Sequence, residues 1–131
     1  MVIDTNVYSA LDKGDSRAVE ALDGVKHVCM PIFVIAELMF GFAKGSKTDE
    51  NRKTLLRFLS LPNVSVGLPS FETAEQYAKL QLHSANKGKV LSHNDLWIAA
   101  LACERGESLV TFDRDFSALE ELLGDLLAVL K

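Results

Sequence analysis

Apolar residues along this chain follow two rhythms. Short apolar runs bounded by Gly, Pro, Asn or Asp predict strands at Met1–Ile3, Val25–Met30, Ser108–Thr111 and Leu126–Leu130. Val64-Ser65-Val66 alternates instead and predicts an edge strand. Between these runs the spacing becomes helical. Val7, Ala10 and Leu11 predict a first helix behind the polar cluster Asp4-Thr5-Asn6, and Ala18, Val19, Ala21 and Leu22 predict a small one closed by Gly24. Ile32 to Gly45, opened by Pro31, is nearly all apolar, and its length predicts a buried helix with Glu37 in its middle. Leu55, Leu56, Phe58 and Leu59 recur with Arg52, Lys53 and Arg57 between them, an amphipathic helix ended by Pro62. Pro69-Ser70 opens a helix carrying Ala74, Tyr77, Ala78 and Leu80, and Asn86 to Lys89 reads as a turn. A helix from Ser92 to Glu104 stops at Arg105-Gly106, and Phe112 to Phe116 turns into a short helix. Strands alternating with helices predict the α/β class, a mostly parallel central sheet of about five strands flanked by helices.

At 131 residues the chain has the size of one domain, and residues 1–131 are expected to share one core. No run approaches the roughly 18 apolar residues of a membrane span, and no leader precedes Asp4, so a soluble, cytoplasmic protein without a membrane partner is expected. Only three residues stand before Asp4, from which either a frayed first strand or a misassigned start is expected. Cys29 and Cys103 lack zinc or disulfide spacing and are expected as buried thiols. His27, His83 and His93 show no ligand spacing either. The formal net charge of −4 argues against a large basic face for nucleic acid, but not against an acidic site that handles phosphates locally.

Four acids then need explaining. In a parallel α/β sheet, ligands bind beyond the carboxyl ends of the strands. Asp4 follows the first strand, Asp113 follows Leu109–Thr111, and Asp95 starts the helix that feeds that same strand. Each has a purely structural alternative. Asp4 and Asp113 fit as N-caps, and Ser92 with Asp95 forms a capping-box pattern. Glu37 is flanked by Val34, Ile35, Ala36, Leu38, Met39 and Phe40, where a core-facing carboxylate needs a partner or a metal, unless it turns to the wet side of its helix. Four carboxylates without cysteine or a histidine pair match a hard cation, Mg²⁺ or Mn²⁺ rather than zinc.

Four stretches, taken in order, resemble the PIN-domain ribonucleases and among them the VapC-type toxins of toxin–antitoxin pairs. They are Ile3-Asp4-Thr5-Asn6, Ala36-Glu37-Leu38 with Gly41, Asn94-Asp95-Leu96-Trp97-Ile98-Ala99-Ala100, and Leu109 to Phe116. The resemblance covers essentially the whole chain and implies a PIN-domain fold and Mg²⁺- or Mn²⁺-dependent endonucleolytic cleavage of RNA. It implies that Asp4, Glu37, Asp95 and Asp113 are the metal-binding and catalytic acids. Thr111, Thr5 and Asn6 would support them, and Asp115 would add an outer carboxylate or cap the following helix. It also implies a homodimer and a cognate antitoxin that blocks the site. A catalytically silent PIN-like module for RNA binding or assembly is the alternative. A phospho-receiver would want paired acids on the first strand and a lysine after the last; here Asp4 stands alone and only Lys131 follows. A structure-specific DNA nuclease would be longer, with further acids.

Overall fold

Val2 and Ile3 make a strand of only two residues, β1, and it holds because both its flanks are paired. In the computed structural model, which describes residues 1–131, β1 lies between β2 (Val28–Pro31) and β4 (Leu109–Thr111). β3 (Val64–Gly67) and β5 (Leu127–Val129) close the two edges, giving the order β3-β2-β1-β4-β5. Every pairing is parallel, with Val2 opposite both Cys29 and Leu109 and Ile3 opposite Val110. The frayed first strand is therefore corrected: Val2 and Ile3 are fully buried at the centre of the sheet. Main-chain bonds from Val2 N to Ser108 O (2.7 Å) and from Asp4 N to Val110 O (3.0 Å) hold the strand and the residue after it.

The helices α1 (Thr5–Asp12), α2 (Ser16–Leu22), α3 (Ile32–Lys44), α4 (Thr48–Leu59), α5 (Phe71–Asn86) and α6 (His93–Arg105) cover the sheet. After β4 the chain makes 3₁₀ turns over Arg114–Leu119, the single turn α7 (Glu120–Leu123) and a further 3₁₀ turn before β5. α6 is the central support, burying Leu96, Ile98, Ala99, Ala100, Leu101 and Ala102; side chains of leucine size contribute about 1.5–3 kcal/mol each when taken from water. It ends at Gly106, whose φ of 64° is the left-handed cap conformation that glycine adopts without strain. Gly67 is needed for space: a Cβ there would lie 2.5 Å from Cys29 Sγ and 2.8 Å from Leu101 Cδ2, so Gly67→Ala would push β3 from its neighbour.

Three expectations change. β2 begins at Val28 rather than Val25, since Lys26 and His27 are exposed ahead of the paired segment. Helix α3 is not buried along its length: Val34 and Leu38 face the core, while Phe40 is 65% exposed and Ile32 and Met39 are exposed too. An all-apolar sequence marks the faces that shun water, and here one of those faces lies outside the domain core. Cys29 is buried, whereas Cys103 is only half-buried.

Candidate active site

The strand order reverses direction between β1 and β4. The chain moves outward from β1 through β2 to β3, then returns to the other side of β1 for β4 and β5. At such a switch point the connections leaving two neighbouring strands go to opposite faces and open a crevice at their carboxyl ends. Asp4 is the first residue beyond β1, Thr111 is the last of β4, and Asp113 follows two positions later.

Asp4 is nearly buried, at 4% exposure. One oxygen, Oδ1, accepts from Thr5 N at 2.8 Å and so caps α1; Oδ2 accepts from Thr111 Oγ1 at 2.7 Å and from Asn6 Nδ2 at 3.4 Å. Thr111 also accepts from the Asp113 backbone N–H at 2.9 Å, and Asn6 Oδ1 accepts from Phe112 N at 3.1 Å. Thr111 and Asn6 thus fasten the loop after β4 to the loop after β1. Asp113 uses Oδ1 to accept from Asp115 N at 2.9 Å, capping the 3₁₀ turn. The capping role foreseen for Asp4 and Asp113 is real, but it occupies one oxygen of each.

Glu37 comes from the middle of α3 and is half-buried, held between two donors. Thr5 Oγ1 donates to Oε2 at 3.0 Å, and the Asn94 amide donates to Oε1 while also reaching Phe33 O at 3.3 Å. Its partners are these two neutral groups, and no arginine pairs with it. Asn94 is the residue that reading for acids passes over, although the Asn94-Asp95 pair was visible in the motif. A single turn of α6 places Asn94 on Glu37 and Asp95 toward Asp4.

Asp95 is half-buried in the first turn of α6. The Ser92 hydroxyl accepts from Asp95 N at 3.1 Å, but the return bond of a capping box, from Ser92 N–H to the carboxylate, is not made. Burial first, and then the charges of Asp4, Asp113 and Glu37, push the Asp95 carboxyl up to about 6. Burial likewise raises Asp4 above its ordinary value, with Glu37 and Asp113 adding to the rise and the bonds from Thr111 and Thr5 opposing it. Asp4 therefore feels the charges of Glu37 and Asp113, and Asp95 those of Asp4, Asp113 and Glu37, while no lysine or arginine is among the leading influences on either. Asp115 is different. It is exposed on the 3₁₀ turn, and neither Asp4 nor Asp95 feels its charge among the leading influences. The cap it was given as an alternative is made by Asp113.

The donor set suits a hard divalent cation: oxygen only, net negative, with no basic side chain to neutralise it. No three acidic, histidine or cysteine side chains close into a ready-made cage.

The same architecture recurs in known proteins. A family model described as "PIN domain" matches residues 1–122. Ribonuclease VapC5 of Mycobacterium tuberculosis is 31% identical over 119 residues, which span 91% of this chain and 87% of that protein. Ribonuclease VapC2 of Rickettsia felis is 29% identical over 127 residues, 93% of each chain. A crystal structure of VapBC2 from Rickettsia felis, bound to a DNA fragment from its promoter, matches with a TM-score of 0.85 at 25% identity, covering 99% of this chain and 98% of that one. A buried acid at the switch point, a second acid at the mouth of α6 and a match along nearly the whole length lead to one conclusion: the chain belongs to the PIN-domain family, in its VapC-type branch.

Proposed function

We propose that this protein is an endoribonuclease dependent on Mg²⁺ or Mn²⁺, the toxin of a toxin–antitoxin pair, and that it hydrolyses RNA phosphodiesters at the mouth between β1 and β4. The observation that carries this reading is the crevice between β1 and β4, where burial and the charges of neighbouring acids raise the Asp4 and Asp95 carboxyls and no lysine or arginine is among the leading influences on them. Similarity to two proteins named as ribonucleases supplies the reaction class. The ion, when bound, supplies Lewis acidity for an attacking water and for the charge that grows on the phosphodiester.

The chain's own residues do the rest. Asp4, fixed by Thr111 and the Thr5 N–H, and Asp95, whose carboxylate takes no bond from the Ser92 N–H, would be the principal ligands. Glu37 is steadied by Asn94 and Thr5, so that its carboxylate can complete the set or orient water. Asp113 keeps one oxygen beyond its capping bond for the same purpose. Asn6 and Thr111 act by positioning Asp4 and the β4 loop. No nucleophilic side chain is required, because water attacks directly.

An antitoxin partner accords with the similarity to VapBC2, a toxin–antitoxin complex. The exposed Met39 and Phe40 of α3, with Leu56 of α4 and Leu61 just beyond it, offer that partner apolar surface. We further propose a homodimer acting on RNA in the cytoplasm; no helix is long and apolar enough to cross a membrane. The test is incubation of antitoxin-free protein with single-stranded and structured RNAs in Mg²⁺ or Mn²⁺. Cleavage should appear, and should be lost with EDTA and in Asp95→Asn. Intact RNA in the presence of bound Mn²⁺ would instead select the silent RNA-binding module.

A further inference from the structure

A polar hollow lies against α1, and the chemistry above does not use it. Asn6, Ser9, Ala10 and Lys13 share one face of that helix and, with Gly14 and Asp15 of the turn into α2, line a volume of about 610 Å³. One wall is shared with the acids. Asn6 Nδ2 donates to Asp4 Oδ2 at 3.4 Å and Asn6 Oδ1 accepts from Phe112 N at 3.1 Å, so the hollow begins one side chain away from Asp4 and from the loop that carries Asp113. It occupies the flank of α1 opposite Tyr8, which packs on Phe58 of α4 with ring centroids 5.2 Å apart.

The charges around the hollow decide what it can hold. Both oxygens of Asp15 accept from Arg17, so those two charges cancel each other. Asp12 falls on the Tyr8 flank of the helix and acts on that phenol. The carbonyls of Ser9, Ala10 and Leu11, which would otherwise present negative charge at the end of α1, accept from the N–H groups of Lys13, Asp15 and Gly14 at 3.2, 2.9 and 3.0 Å. Lys13 is left exposed, and none of the chain's ion pairs includes it. The uncompensated charge is therefore positive. An ammonium repels a metal ion, and Ala10 alone gives an apolar ligand little to bury. A lysine with a serine hydroxyl beside it is instead a set of donors that phosphate oxygens accept from.

We infer that this hollow is a backbone subsite that takes a phosphate of the RNA strand beside the one being cut, with Lys13 as its charge partner and Ser9 as a second donor. This deepens the ribonuclease reading and rests on it. The acids repel a polyanion, and an anchor one side chain away holds the strand while the phosphate to be cut approaches them. Asn6, whose amide is spent on Asp4 and Phe112, fixes the spacing between anchor and acids. A phosphate contact carries no base information, so the subsite contributes affinity and register rather than sequence preference. Lys13 is thus a binding residue and takes no part in bond cleavage.

The test reads binding separately from cleavage. In the Asp95→Asn background, fluorescence anisotropy follows a labelled single-stranded oligoribonucleotide over a range of salt concentrations. Lys13→Ala weakens binding about fivefold at low salt and lowers the slope of log K against log salt by about 0.7, the share of one phosphate contact on a single strand. Lys13→Arg restores both. Lys26→Ala removes the same charge ahead of β2, at the end of the strands away from the acids, and changes neither. A neutral methylphosphonate moved along the strand weakens binding at one position beside the scissile phosphate, and at that position it costs Lys13→Ala nothing further. With the active enzyme, Lys13→Ala raises KM about fivefold and leaves kcat within about twofold. An unchanged salt slope, an equal effect of Lys26→Ala, or no methylphosphonate position coupled to Lys13 would overturn the subsite. Absence of cleavage by the wild type would overturn the ribonuclease reading, and the coupled position would still decide whether a phosphate sits at Lys13. No binding of the strand at all would overturn both.

Discussion

Asp4 and Asp15 perform the same local task in opposite electrostatic settings. Each is the N-cap of a helix: Asp4 accepts from Thr5 N at the start of α1, and Asp15 accepts from Arg17 N at the start of α2. Asp15 sits at the surface with Arg17 folded over it, Nε and Nη2 donating at 3.0 and 2.7 Å, and those bonds hold its carboxyl at about 2. Asp4 is buried, receives only neutral donors, and titrates above its ordinary value because burial disfavours its charge. An N-cap needs one oxygen and gains nothing from burial or from neighbouring acids. Asp15 therefore looks finished, and Asp4, with Glu37, Asp95 and Asp113 around it, looks like half of an ion pair. Perturbed acids gathered in a crevice are the arrangement a bound cation would complete.

The largest consequence is for activity. Asp4→Ala and Asp95→Asn should each lower RNA cleavage by about a thousandfold or more, the several kcal/mol that metal-assisted charge stabilisation supplies, while Asp15→Asn changes it by less than about twofold. Comparable losses from all three would erase the distinction between the two kinds of cap. Next come the residues that hold the acids in place. Asn94→Ala frees Glu37 and Thr111→Val frees both Asp4 and the Asp113 N–H; each should weaken Mn²⁺ binding by about 10–100-fold in calorimetry, the usual effect of removing an outer partner.

A smaller effect concerns stability against pH. With its carboxyl at about 6, native Asp95 holds more protons than the unfolded chain between the ordinary value of 3.8 and that point. The metal-free protein should therefore lose stability as pH rises through this window. Asp95→Asn should flatten the slope in urea titrations and stabilise the metal-free protein at pH 7 by on the order of 1 kcal/mol, discounted for a group this exposed to solvent. Asp15 has the opposite sign: its contribution is present above 3.8 and fades as pH falls toward 2. The smallest change is local. Arg17→Ala should return the Asp15 carboxyl, followed by NMR, toward its ordinary midpoint without altering cleavage.

Much of this was readable from the chain. Asp4 and Asp113 could be placed at one sheet edge because each directly follows a short apolar run, and parallel topology sends all such positions to the same side. Asp95 was readable from its motif, and Ser92 as its cap from the spacing. Glu37 could be singled out as a carboxylate in apolar surroundings, but its resolution by Asn94 and Thr5 depends on how α3 crosses α6 and α1, which no local pattern encodes. The exposure of Phe40 was hidden for the same reason: an all-apolar helix does not say which of its faces meets its own core and which is left exposed. Asp115 resembled its neighbours in sequence, yet the 3₁₀ turn after Asp113 leaves it in solvent. Phe33, Trp97 and Tyr77 stack on one another across three helices, and such stacking exists only after they pack.

The central claim is that Asp4, Glu37, Asp95 and Asp113 act as one cation-holding unit, and titration of Mn²⁺ into the metal-free protein by calorimetry tests it most directly. The account predicts saturable binding that is lost in both Asp4→Ala and Asp95→Asn and preserved in Asp15→Asn. Binding unchanged by Asp95→Asn, or no binding by the wild type, would contradict it.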